Sequence, residues 1–414
     1  MIKYEYKMLT NGLKVYVLPA NKGSGVVSIN VFYDFGSSDE YMGKSGIAHM
    51  LEHMNFKSSK KLKAGEFDAT IKKLGGVSNA STGFDYTHYY VKCAKNHTDT
   101  VLGLFAELLN NLTLKEDEFQ SEREVVLEER LWRTDNSPVG YIHFHLYNQA
   151  FLHHPYHWTP IGFMDDIKSW TLKDLETFHG NFYRPEKAIV LLSGDVDAKS
   201  SIQQVAKHFE DISGKILDNW YYPGSFNEPR QRGPRYSEIT DFKSDIDLVA
   251  LSFKIPPYDH PDFFTLEALA TLISDGKSSI LHKVLVESGL CSDFYAYAQE
   301  ASHESLFTFI LLCNKGAKEA LEALEDCIYS LKDKISDKDV KRSKNASLLD
   351  FYAQTSTASS LASLFGSQAI RGNIDPVLNH AKNIENLSLN ALLDAASKYF
   401  DPNTKNQLIL RRSA

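Results

Sequence analysis

Gly46-Ile47-Ala48-His49-Met50-Leu51-Glu52-His53-Met54-Asn55-Phe56 is the stretch on which the reading of this chain turns. Apolar residues flank the polar ones, and neither Gly nor Pro interrupts Ile47 to Phe56, so it reads as a buried helix. Residues four apart on a helix stand one turn above each other. His49 and His53 therefore aim two imidazoles at one point, and Glu52 falls on the same side. Two imidazoles, a neighbouring carboxylate and an open position make the donor set of a catalytic zinc site. Histidines at this spacing also pair by chance. Glu52 changes the weighing, because it completes H-x-x-E-H, the inverse of the H-E-x-x-H zinc motif. Three titratable side chains on a buried helix also need a purpose, since unpaired buried charge is costly.

A third ligand has to come from another element. The best source is Glu122-Arg123-Glu124-Val125-Val126-Leu127-Glu128-Glu129-Arg130, which mixes an apolar stripe, Val125 and Val126, with acids. Such a helix is ordinarily a solvated charged face. Spacing does not choose among Glu122, Glu124, Glu128 and Glu129.

The rest of the chain sets bounds. Its 414 residues suggest two to three domains. A net charge of −8 and the lack of a basic stripe argue against nucleic acid as a partner. Cys93, Cys291, Cys313 and Cys327 form no C-x-x-C pair and read as four buried thiols in a reducing compartment. The first residues lack the apolar core of a signal peptide, and no apolar run is long enough to span a bilayer. A cytoplasmic protein without membrane contact is expected. His143, His145, His153, His154 and His157 form a second histidine cluster, read as structural because no carboxylate stands at a matching spacing.

Turn and strand signals recur along the chain. Thr10-Asn11-Gly12 between two apolar runs predicts a hairpin. Val26 to Phe32 alternates as a strand, 65–74 reads as a helix stopped by Gly75-Gly76, and Val77 to Cys93 as two strands. Helical patterns follow at 97–112, 115–134 and 137–151, then a strand from Ala188 to Leu192. After turn residues without periodicity the order restarts. Leu248 to Phe253 echoes Val27 to Phe32, and the apolar helix Phe263 to Ile273 echoes the motif helix but has no His. The expected fold is α+β, two homologous domains, each a mainly antiparallel sheet packed with helices. The division expected is 1–220, zinc-binding; 221–235, linker; and 236–414, related but without zinc ligands.

The chain resembles the pitrilysin/insulysin zinc metallopeptidases, the inverzincins that include the mitochondrial processing peptidase. In that family a glutamate ending an E-R-x-V-x-x-x-E pattern follows the H-x-x-E-H helix at a set distance. Glu122-Arg123-Glu124-Val125-Val126-Leu127-Glu128-Glu129 matches, with Glu129 76 residues after His53. The resemblance implies Zn²⁺ held by His49, His53 and Glu129, Glu52 as general base, and Glu122 supporting a ligand. It further implies that Asn79, Ala80 and Ser81 lie on an edge strand that holds substrate backbone. Leu9-Thr10-Asn11-Gly12-Leu13, Tyr183-Arg184-Pro185 and Gly194-Asp195-Val196 match as well. The implied activity is endoproteolysis of unfolded peptides or small polypeptides in a chamber closed by dimerisation, homodimeric or heterodimeric. One feature departs from the family. Active members carry an Arg and a Tyr, seven apart, that hold the substrate carbonyl; aligning on Gly289-Leu290 puts Leu285 and Ser292 in those places. The alternative this leaves is a non-catalytic subunit, or one needing a partner chain for that pair.

Overall fold

Asn11 and Gly12 turn the chain between β1 (Glu5–Met8) and β2 (Lys14–Pro19). Gly12 takes the left-handed φ of +86° that the turn requires. The Asn11 amide donates to the carbonyls of Phe209 and Ile212, tying the hairpin to its domain. This geometry comes from a computed structural model that describes residues 2–214 and 227–413. Of the expected linker 221–235, residues 221–226 lie outside the described ones, and 227–234 carry no helix or strand.

Two sheets form. The first also contains β3 (Val26–Tyr33), β4 (Val77–Thr82), β5 (Thr87–Ala94) and β6 (Ala188–Gly194), in the order β1-β2-β6-β3-β5-β4. The second contains β7 (Arg235–Ile239), β8 (Asp247–Ile255), β9 (Cys291–Ala298), β10 (Ser305–Cys313) and β11 (Asn406–Leu410), in the order β7-β11-β8-β10-β9. Apart from the extra β1, the orders superpose strand for strand. Each sheet has one parallel pair, β2 with β6 and β7 with β11, and is otherwise antiparallel. The duplicated α+β architecture is thus present. The sequence pattern missed β7 and β9, whose residues face solvent too much to leave an apolar signature.

Strand alternation splits each sheet into two faces. Val27, Ile29, Val31 and Tyr33 of β3 point into the first core with Ile47, Met50 and Leu51. Val249, Leu251, Phe253 and Ile255 of β8 do the same in the second, with Leu266, Leu269 and Ile273. The opposite faces take helices from the other half of the chain. Helix 358–371 lies on β3 and β6, close enough that a Cβ at Gly366 would fall 2.3 Å from the Phe32 ring. A buried ion pair between Arg371 and Asp85, 3.2 Å, holds its end. Reciprocally, α5 (Pro138–Ala150) packs Ile142 and Leu146 onto Leu248, Ala250, Leu408 and Leu410 of the second sheet.

By contacts, the described residues therefore fall into one unit of 1–128, 158–225 and 352–378 and another of 129–157, 226–351 and 379–414. The expected division was linear along the chain. It differs because each half lends a helix to the other, which no local pattern records. Among the described residues no helix is long and apolar enough to cross a membrane.

Candidate active site

The motif helix, α1 (Ile47–Met54), begins at a backbone that only glycine adopts readily. Gly46 has φ +84°, and a Cβ there would meet the Ile161 carbonyl oxygen at 2.5 Å. The buried Glu40 carboxylate accepts the N–H groups of Gly46 and Ala48, both at 2.8 Å, satisfying donors that a helix start leaves open. Burial holds the Glu40 carboxyl well above the usual carboxylate range. Ile47, Ala48, Met50, Leu51 and Met54 are buried, whereas His49, Glu52 and His53 are half-buried on the other face. The helix is one-sided rather than buried all round, and the polar face opens toward a cavity.

His49 and His53 stand with ring centroids 4.7 Å apart and planes nearly perpendicular. One donor atom from each, together with a carboxylate oxygen of Glu129, lies within 4.8 Å of the others. This is the only such group of three or more His, Cys, Asp or Glu among the described residues. Glu129 sits in the last turn of α4 (Glu116–Arg130), where Arg133 pairs with it at 2.9 Å. Of the four glutamates that spacing left open, Glu124 and Glu128 are exposed. Glu122 and Glu129, seven apart and hence on one face, turn toward the histidines. Val125, expected in the apolar stripe, is 48% exposed, and Val126 alone is buried.

Glu122 is buried and accepts from His53 Nδ1 at 2.9 Å. Its other oxygen pairs with Lys57. Burial pushes the Glu122 carboxyl up, but the His53 and Lys57 contacts outweigh it and hold the group below its usual value. An anionic Glu122 keeps the proton on His53 Nδ1 and turns Nε2 outward as a lone-pair donor. Two imidazoles and a carboxylate, one imidazole already in the ligating tautomer, fit a zinc-like ion.

Glu52 is anchored from β4. The Thr82 hydroxyl donates to Glu52 Oε2 at 2.6 Å. Behind it, Tyr89 and Tyr183 share a buried hydroxyl contact of 2.6 Å. Burial raises both phenols far above their usual value, and the Glu52 charge adds to this. β4 is an edge strand, paired only with β5. Asn79 and Ser81 are exposed on it, and Ala80 is half-buried. A cavity of about 570 Å³ joins this edge to the helix, lined among others by Glu52, His53, Phe56, Asp68, Asn79 and Ala80. Thr82 and Lys57 escaped the sequence reading. Thr82 could have been found from the alternation that places it on the same face of β4 as Ala80.

Leu285 and Ser292, at the family's substrate-holding positions, offer no such pair. Leu285 is fully buried in the second core, and the Ser292 hydroxyl donates to the Leu312 carbonyl at 3.4 Å. Two histidines of the second cluster, His154 and His157, bond within their own loop. His154 Nδ1 accepts from Tyr156 N–H at 3.1 Å, and His157 Nδ1 meets the Phe151 carbonyl at 2.6 Å.

Comparison with known proteins matches the same regions. A sequence profile described as Insulinase (Peptidase family M16) covers residues 15–159, and one described as Peptidase M16 inactive domain covers 169–347. A zinc protease, PqqE, of Helicobacter pylori is 42% identical over 416 residues, spanning 99% of this chain and 93% of its own. The crystal structure of a protease from Helicobacter pylori superposes with a TM-score of 0.96 at 40% identity, covering 99% of this chain and 100% of that one. A probable mitochondrial-processing peptidase subunit beta of Arabidopsis thaliana is 25% identical over 406 residues, spanning 94% of this chain and 72% of its own.

Proposed function

From the premise that the chain belongs to peptidase family M16, the insulinase family, we propose that it is a zinc metalloendopeptidase acting on unfolded peptides. The convergence of His49, His53 and Glu129 within 4.8 Å carries this reading. When bound there, a zinc ion would supply Lewis acidity toward a carbonyl and toward water at neutral pH. Everything else falls to the chain. Glu52 takes the proton of the attacking water and returns it to the leaving amine. Thr82 fixes the rotamer of that carboxylate through Oε2. Glu122 and Lys57 hold the His53 ring. The substrate backbone extends the first sheet along β4 at Asn79, Ala80 and Ser81, because an unpaired edge offers its N–H and C=O groups to an extended peptide. Two copies of the chain bring four such domains together, and a closed two-fold dimer is the common way to do so.

Metal analysis and a quenched-peptide library, with and without chelator, test the reading. Glu52→Gln is expected to keep its metal and lose turnover. Zinc-loaded protein inert to every peptide would sink it, as would Glu52→Gln cleaving at the parent rate. A monomer in small-angle scattering would remove the dimer. The buried Leu285 favours one second reading, a subunit whose partner chain supplies the missing guanidinium. Cleavage by the purified chain alone would exclude that.

A further inference from the structure

The four cysteines do not share one chemistry. Cys291 opens β9 and Cys313 closes β10, and they stand opposite each other across the strands. Directly opposed antiparallel residues have Cα atoms about 4.5–5.5 Å apart, inside the roughly 4.4–6.8 Å that a disulfide spans. The ladder is irregular between Leu312 and Cys313, where local pairing gives the backbone room to adjust. The Cys313 thiol donates to the Leu311 carbonyl at 3.9 Å. The neighbouring thiol holds Cys291 below its usual value and Cys313 above it. Cys93 and Cys327 are also buried, and burial pushes each up to about 11. A thiol held up in this way is a poor nucleophile.

We propose that Cys291 and Cys313 are a redox-responsive dithiol that closes reversibly to a cross-strand disulfide. The inference stands apart from the zinc site. Exposures of 1% and 2% exclude bulky reagents, so the oxidant is a small diffusible one, hydrogen peroxide. The Cys291 thiolate attacks a peroxide oxygen, and the O–O bond breaks. The leaving hydroxide takes up a proton to become water, and Cys291 becomes a sulfenic acid. Cys313 sulfur then attacks Cys291 Sγ. The S–O bond breaks, and the hydroxyl leaves as water with the Cys313 proton. Two thiols and one peroxide give one disulfide and two waters. The bond clamps the start of β9, the outer strand of the second sheet.

The full-length reduced protein tests this. It is exposed to hydrogen peroxide under native conditions, quenched, denatured, alkylated and mapped by mass spectrometry. The expected product is a Cys291–Cys313 linked peptide, lighter than the dithiol form by two hydrogen atoms. Cys93 and Cys327 remain alkylatable, and dithiothreitol reverses the link. In Cys291→Ala, Cys313 is expected to oxidise no faster than Cys93. Hydrogen exchange at residues 290–294 should slow in the oxidised parent. The proposal fails if all four thiols react at like rates. It fails equally if Cys291 proceeds to sulfinic acid unlinked, or if the link forms only after denaturation.

Discussion

Thr82 gives the sharpest test at the scale of a single residue. A hydrogen bond to a charged group contributes about 1.5–3 kcal/mol, and about 1.4 kcal/mol is tenfold in rate. Thr82→Val is therefore expected to lower kcat at least about tenfold with KM within about twofold and metal content unchanged, and Thr82→Ser to restore most of it. Parent activity in Thr82→Val, with a loss in Thr82→Ser, would mean that the methyl, not the hydroxyl, matters. Lys57 acts further out, through Glu122 on His53. Groups that orient a ligating imidazole are worth about 10–100-fold in metal affinity. Lys57→Met should weaken zinc by about tenfold in chelator competition. His49, Glu52 and His53 were legible because helical spacing is local. Glu129 came from the family pattern, since four glutamates on one helix look alike until the fold exposes Glu124 and Glu128. Thr82 was marked only by the alternation that puts it on the Ala80 face of β4, and Lys57 was not legible, because its contact exists only once α4 is laid against α1.

Elements explain why the motif helix starts where it does. Gly46→Ala would force a left-handed φ on an L residue and drive its Cβ to 2.5 Å from a backbone oxygen. Left-handed geometry alone costs about 1–2 kcal/mol, so urea unfolding should show a loss above about 2 kcal/mol. Hairpin, motif helix and central strands could be read from turn residues and periodicity. β9 could not, for it is an edge strand in which exposed Ser292, Asp293 and Tyr295 stand among small or half-buried residues.

At the scale of the whole molecule, buried polar groups couple folding to pH. His88 is buried, donates through Nε2 to Asn30 at 3.0 Å, and stacks on Phe32. Burial lowers it from 6.5 to about 3. The unfolded chain therefore binds the extra proton first, and the stability His88 confers is full above pH 6.5 and lost as pH falls toward 3. Against His88→Gln, the parent should lose about 2 kcal/mol between pH 7 and pH 5. The buried Asp39, raised by burial to about 7, acts in the opposite sense. For that reason the comparison with the variant, and not the parent's raw profile, is the measurement to make. Two homologous domains were foreseeable from the repeated order of elements. The traded helices were not, since a helix carries no local mark of which sheet it will cover.

That trade also sets a timetable. A chain made from its N-terminus has synthesised His49, His53 and Glu129 long before residues 358–371 exist. Until that segment emerges, β3 and β6 have one face uncovered, and Asp85 lacks the arginine that meets it in the finished fold. The sheet that supports the motif is thus completed late, and the nascent protein carries its donor set through most of its synthesis on an unfinished scaffold.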